Sequence, residues 1–102
     1  DLIVAGSGIQ IILGRGGNDC IIAGSGGDFV VAGSGNDEVL AGQGNDHVVG
    51  GEGNDDLSGQ SGNDHLIGNN GDDDLNGGAN KDFCNGGGGN DTAAQCEQVA
   101  NV

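Results

Sequence analysis

Nine aspartates recur at intervals of nine residues: Asp19, Asp28, Asp37, Asp46, Asp55, Asp64, Asp73, Asp82 and Asp91. Glycines crowd the residues before each of them, so peptide carbonyls stand close to the carboxylates with little side chain to shield them. Such an array offers hard oxygen donors and nothing else in repeat. No sulfur or imidazole recurs with the same period, which argues against zinc, copper and other thiophilic metals. Mg²⁺ keeps its waters and suits crowded carbonyls poorly, whereas Ca²⁺ takes six to eight oxygens at roughly 2.3–2.6 Å. The balance of the whole chain agrees. Sixteen acids against two bases leave a formal charge of −14 over 102 residues, which disfavours nucleic acid and anionic membrane as partners and favours metal cations.

The elements that position these carboxylates follow from the period. From Ala5 to Ala94 the chain divides into ten blocks of nine without insertion or deletion, among them AGSGNDEVL (32–40), GGEGNDDLS (50–58) and GGGGNDTAA (86–94). Positions one, two and four are mostly Gly, with Ala at position one in several blocks. Position five is Asn at 18, 36, 45, 54, 63 and 90. Gly and Asn tolerate φ > 0, so the first half of each block reads as a tight turn. Position six is Asp in nine of the ten blocks, and position eight is apolar in all, from Ile12 and Ile21 to Cys84 and Ala93. A triplet with an apolar centre predicts a short strand whose middle side chain points inward.

Turn plus strand, repeated, predicts an all-β parallel β-roll, a β-solenoid with 18 residues per coil and two parallel sheets. One coil lies ~4.8 Å above the next, and the turns carry the metal ladders. The roll is expected over residues 1–94, with 95–102 as a short irregular C-terminal cap. With 25 Gly, two Phe and no Met, Trp, Tyr or Pro, the chain cannot build an ordinary globular core. A single thin row of aliphatics has to hold two sheets together while stacked aspartates repel, so a cation is expected to complete the fold.

Turns of like parity stack. The aspartates then form one column of Asp19, Asp37, Asp55, Asp73 and Asp91 and another of Asp28, Asp46, Asp64 and Asp82. The block pattern resembles the nonapeptide of the RTX (repeats-in-toxin) family, G-G-x-G-x-D-x-U-x. The resemblance implies that each Ca²⁺ sits between consecutive turns of one column, bound by a position-six Asp from each turn and by carbonyls of the Gly-rich positions. The nine aspartates match that motif. Gln10 lacks the charge, and Asn80-Lys81 are expected to disturb the turn before Asp82. Four gaps in one column and three in the other imply about seven complete sites, with further ones conceivable at the ends. Seven Ca²⁺ would offset the formal charge.

Other signals point to no chemistry. Gly14-Arg15-Gly16-Gly17 leads into no helix and reads as a turn rather than a phosphate cradle. His47 and His65 stack one coil apart on an outer face and read as surface. No nucleophile, base and orienting group come together, so the chain is not expected to be an enzyme. Ice-binding RTX arrays resemble one another in a Thr ladder along the turns; the only Thr here is Thr92. No stretch nears the ~20 apolar residues of a membrane span, and the opening Asp1-Leu2-Ile3-Val4 resembles no signal peptide, which leaves a processed chain or a piece of a longer one.

Three cysteines suggest an oxidising, extracellular setting, and set the chain apart from type I-exported RTX proteins, which generally lack cysteine. Cys84 points inward on the last coil and Cys96 follows in the tail. Either the two are bonded, pinning the tail over the open end of the core, or both are free thiols. Cys20 is left over.

Positions seven and nine face outward. On one sheet they include Ile11, Leu13, Phe29, Val31, His47, Val49, His65, Ile67 and Phe83, too apolar for a solvated face. The opposite sheet begins with Cys20, Ile22 and Leu40 and turns polar at Glu38, Asp56 and Asp74. The first expectation is therefore an extracellular, calcium-rigidified structural roll. It is expected to self-associate through Phe29, Val31, Val49, Ile67 and Phe83, or end to end through a bare first strand. The alternative is a calcium-dependent repeat module of a larger secreted hydrolase, toxin or adhesin, with that face packed on another domain. A calcium-responsive folding switch serving export is the third.

Overall fold

The computed structural model describes residues 1–101; Val102, the end of the expected cap, lies outside the described residues. Twelve strands alternate between two sheets. β1 (Leu2–Val4), β3 (Cys20–Ile22), β5 (Glu38–Leu40), β7 (Asp56–Ser58), β9 (Asp74–Asn76) and β11 (Thr92–Ala94) form one. β2 (Ile11–Leu13), β4 (Phe29–Ser34), β6 (His47–Glu52), β8 (His65–Asn70), β10 (Phe83–Asn85) and β12 (Gln98–Ala100) form the other. All pairings are parallel, and from Leu2↔Cys20 to Thr92↔Asp74 each joins residues 18 apart. The result is the expected parallel β-roll, with extents of 33 × 30 × 13 Å.

The core is the row of position-eight side chains from Ile12 to Cys84, fully buried from Ile21 onward. Ala23, Ala32 and Ala41 join it from position one, a place the repeat assigns to the turn. The methyl group of Ala is small enough to turn inward where the strand gives way to the turn.

Positive φ falls at positions two and four. Gly33, at φ +99°, shows why: a Cβ there would overlap the carbonyl oxygen of Arg15 one coil below. Where another residue holds position two, as with Arg15, Gln60 and Asn69, it takes the left-handed conformation too, at φ 71–75°. Asn80 does the same at position four, with φ 76°. The turn before Asp82 was expected to be disturbed, yet it keeps its geometry, because Asn adopts this region at small cost.

Position five corrects another expectation. Its Asn residues were read as bearers of positive φ; none of them is. Instead the side-chain oxygen of every one but Asn90 accepts a backbone N–H from the coil above. Asn36 donates to Asn18 Oδ1, Asn54 to Asn36 Oδ1 and Asn63 to Asn45 Oδ1, each at 2.8 Å. Asp72 substitutes without loss, accepting from Asn90 at 2.8 Å, since the position needs only an acceptor oxygen.

The tail was expected to be irregular, yet part of it, Gln98–Ala100, forms a strand. β12 pairs with β10 in the register Phe83↔Gln98, a spacing of 15 rather than 18. Three residues are missing from its turn, so the strand completes a last, shortened coil. Among the described residues there is no helix, and so none long and apolar enough to cross a membrane.

Candidate metal centre

The turns bring the predicted aspartates into two columns, as the period requires. Eight of the nine are buried at 2–5 % exposure, an uncommon state for carboxylates, which are almost never fully buried unless paired. Asp91, in the last turn of its column, is half-buried.

Each carboxylate divides its work between two oxygens. Oδ1 accepts the backbone N–H of the residue 18 positions earlier: Asp19 donates to Asp37, Asp37 to Asp55 and Asp55 to Asp73 at 2.7–2.9 Å. In the second column Asp28 donates to Asp46 and Asp46 to Asp64 at 2.7 and 2.8 Å. These bonds run opposite in sense to those of position five, so stacked turns that also carry a position-five acceptor are clamped both ways. Oδ2 has no partner. In all nine aspartates this oxygen is buried without a hydrogen bond, although an unsatisfied buried acceptor costs ~1–3 kcal/mol and more when charged.

The surroundings of Oδ2 fit a hard cation. At position-one glycines such as Gly68 and Gly86, the missing side chain leaves a gap bordered by the oxygen and by a carbonyl of the chain that follows. A methyl group on Gly68 would run into Asp73 Oδ2 and come within 2.8 Å of the Gly86 carbonyl oxygen. On Gly86 it would meet Asp91 Oδ2 at 2.5 Å and the Asn101 carbonyl oxygen at 2.6 Å. Among the described residues no three Asp, Glu, His or Cys side chains converge on one point. A gap between turns thus offers two carboxylates, and further ligands have to be backbone carbonyls. That donor set is the kind Ca²⁺ takes and a thiophilic metal refuses.

Electrostatics point the same way. Burial pushes the carboxyls of Asp46, Asp55 and Asp73 up to about 6 and that of Asp64 up to about 7. Asp37 and Asp82 are raised too, again chiefly by burial. The donated backbone N–H opposes the shift at each of these six, and the stacked acid neighbours add to it. Without a counter-charge this ladder resists ionisation.

Other candidates resolve differently. Phe29, His47, His65 and Phe83 stack along the outer face of the second sheet with ring centroids 5.0, 4.7 and 4.6 Å apart. Burial and then the neighbouring His47 lower the pKa of His65; the imidazoles are rungs of an aromatic ladder. Cys84 and Cys96 form a disulfide, with Cα atoms 6.0 Å apart, and Cys20 is free. Arg15 to Gly17 lie in a turn between β2 and β3.

The outer apolar face is less uniform than its sequence suggests. Phe29 is 43 % exposed, but Val31, Val49, Ile67 and Phe83 are only half-buried, because stacked rungs cover each other's flanks. Exposure concentrates in the first coils, at Leu2, Val4, Ile9, Ile11 and Leu13. Leu2 and Val4 lie on the other sheet, where sequence reasoning had singled out neither.

One carboxylate of the hydrogen-bond ladder escaped the nonapeptide register. The backbone N–H of Asp82 donates to Glu97 Oε1 at 2.8 Å, as other aspartates donate to the Asp above. Glu97-Gln98-Val99-Ala100 reads as the D-x-U-x half of a block with Glu in place of Asp, and that partial match was the available signal.

No curated protein and no solved structure matches the chain. A family model of the RTX calcium-binding nonapeptide repeat matches it in four copies, over residues 1–30, 22–57, 31–66 and 58–93. These copies overlap or abut from residue 1 to residue 93, over the same turns that stack the aspartates, and the chain belongs to the RTX calcium-binding nonapeptide-repeat family.

Proposed function

We propose that the chain is an extracellular structural roll held rigid by calcium, with Asp19, Asp28, Asp37, Asp46, Asp55, Asp64, Asp73, Asp82 and Asp91 as its side-chain ligands. The observation that carries this reading is the row of nine buried Oδ2 atoms without partners. Each gap between stacked aspartates takes one ion, giving seven sites within the repeat, and each inner aspartate serves two of them.

Shared ligands have a countable consequence. Asp55 lies between Asp37 and Asp73, so Asp55→Ala should remove two ions per chain. Asp91 ends its column, so Asp91→Ala should remove one. Equilibrium dialysis or native mass spectrometry counts the ions, and equal losses for the two variants would argue against sharing.

Self-association is the second part of the proposal. Apolar side chains exposed on the first coils, with Phe29 and half-buried Val31, Val49, Ile67 and Phe83 beyond them, support a face that packs on a second copy. The Cys84–Cys96 disulfide supports an oxidising, extracellular setting. In calcium the wild type should sediment as an oligomer, and replacing Phe29 with Lys and Val31 with Thr should shift it toward monomer while the circular dichroism stays unchanged. The bias of exposure toward the first coils also favours a second reading, a repeat module whose apolar end is covered by another domain of a larger secreted protein. A calcium-loaded wild type that stays monomeric at high concentration would select that reading over the first.

A further inference from the structure

By its period the second column ends at Asp82, yet the hydrogen-bond ladder goes one step further. Asp28, Asp46 and Asp64 each donate a backbone N–H to the carboxylate of the next turn, at 2.7, 2.8 and 2.8 Å. Asp82 donates in the same way to Glu97 Oε1, at 2.8 Å. Glu97 follows after 15 residues instead of 18. Its longer side chain reaches across from the shortened turn to the place an aspartate holds in the coils below.

A second observation concerns the other oxygen of Asp82. This side chain is 3 % exposed and its Oδ2 has no partner. A methyl group on Gly77 would lie 2.6 Å from that oxygen and 2.5 Å from the carbonyl oxygen of Gln95, in the shortened turn. Gly68 stands in the same relation to Asp73 Oδ2 and the Gly86 carbonyl in the other column. The orphaned oxygen of Asp82 and a carbonyl oxygen of the next turn therefore border the same gap at Gly77, as at Gly68 inside the ladder. A cavity of about 340 Å³ opens at this end of the column, with Asp64, Asp82 and Glu97 in its lining. Lys81 lines it too, and no ion pair joins Lys81 to Glu97 among the described residues. The turn is held from both sides: Cys96 is bonded to Cys84, and Val99 pairs with Cys84 across β12 and β10.

We propose that Glu97 is the last ligand of an eighth calcium site, between Asp82 and the turn at 95–97, which the nonapeptide repeat does not encode. The proposal rests on the ladder reading above and extends it to a glutamate outside the motif. Both columns then hold four ions. The terminal coil is fastened by a metal as well as by a disulfide.

Glu97→Gln keeps the acceptor oxygen for the Asp82 N–H and removes the charge. In saturating calcium this variant should bind one ion fewer per chain than the wild type, with an unchanged far-UV spectrum, and Asp55→Ala should bind two fewer. If Glu97→Gln keeps the full count while Asp55→Ala loses ions, the ladder stands and the end site falls. If neither variant loses ions, both readings fall. Anomalous scattering from calcium-soaked wild-type crystals tests the site without a variant: a peak is expected between Asp82 and Glu97. Its absence, with peaks present lower in the column, overturns the proposal even if Glu97→Gln misfolds.

Discussion

In excess chelator at neutral pH the chain should lose most of its β structure, and millimolar Ca²⁺ should restore it. Two features of the fold require this. The inner row contains nothing larger than Ile or Leu, ends in Cys84 and Ala93, and separates sheets in a body only 13 Å thick. Against that modest burial stand eight buried carboxylates, each with an oxygen that no protein group satisfies. Ionised and unpaired, they oppose folding by desolvation and mutual repulsion. A ligand that binds only the folded state stabilises it by about 2.7 kcal/mol per independent site at a hundredfold excess over Kd, so a ladder of sites moves the equilibrium from one end to the other. Far-UV circular dichroism in chelator, then in calcium, reads the transition. Full β structure in chelator at neutral pH would show that the roll stands without metal.

Acid should weaken calcium binding steeply between pH 7.5 and pH 5, and should partly replace calcium in holding the fold. Burial raises Asp46, Asp55 and Asp73 to about 6 and Asp64 to about 7 from an ordinary 3.8. Between those limits the metal-free folded chain binds more protons than the unfolded chain. Its stability therefore falls as pH rises, being greatest below about pH 4 and lost progressively through pH 6 to 7. Protons neutralise the same carboxylates that calcium would, so the two compete. One pH unit below its pKa a carboxylate is ionised in about a tenth of molecules, which costs roughly tenfold in apparent affinity for each ligand concerned. The calcium concentration for half-saturation should rise by at least that factor from pH 7.5 to pH 5. In chelator the β signal should be stronger at pH 4.5 than at pH 7.5. A half-saturation point that does not move would mean that these carboxylates ionise freely in the fold.

Most of the roll was legible in the sequence because a strict period gives every block the same neighbours. Once nine residues repeat without a gap, position eight must stack on position eight and Asp37 must fall between Asp19 and Asp55. The two parallel sheets, the coil of 18 and the two aspartate columns follow from that alone. What the period cannot express is how a side chain divides itself between the coil above and the coil below. Asn36 and Asp37 adjoin in sequence, yet Asn36 Oδ1 accepts from Asn54 above and Asp37 Oδ1 accepts from Asp19 below. Only the stacked turns decide that, and with it which carboxylate oxygen is left for a cation. Nor does a pattern of residue types report exposure: Val49 and Ile67 read as an open apolar face and are half-covered by the rungs beside them. The same limit hid the last coil. A three-residue deletion breaks the register after Ala94 and leaves only Glu97 to Ala100 to signal a strand, too short a stretch to recognise without the pairing partner. The three-dimensional contact of Glu97 with Asp82, and the bond between Cys84 and Cys96 that the spacing had left open, put it back in the ladder.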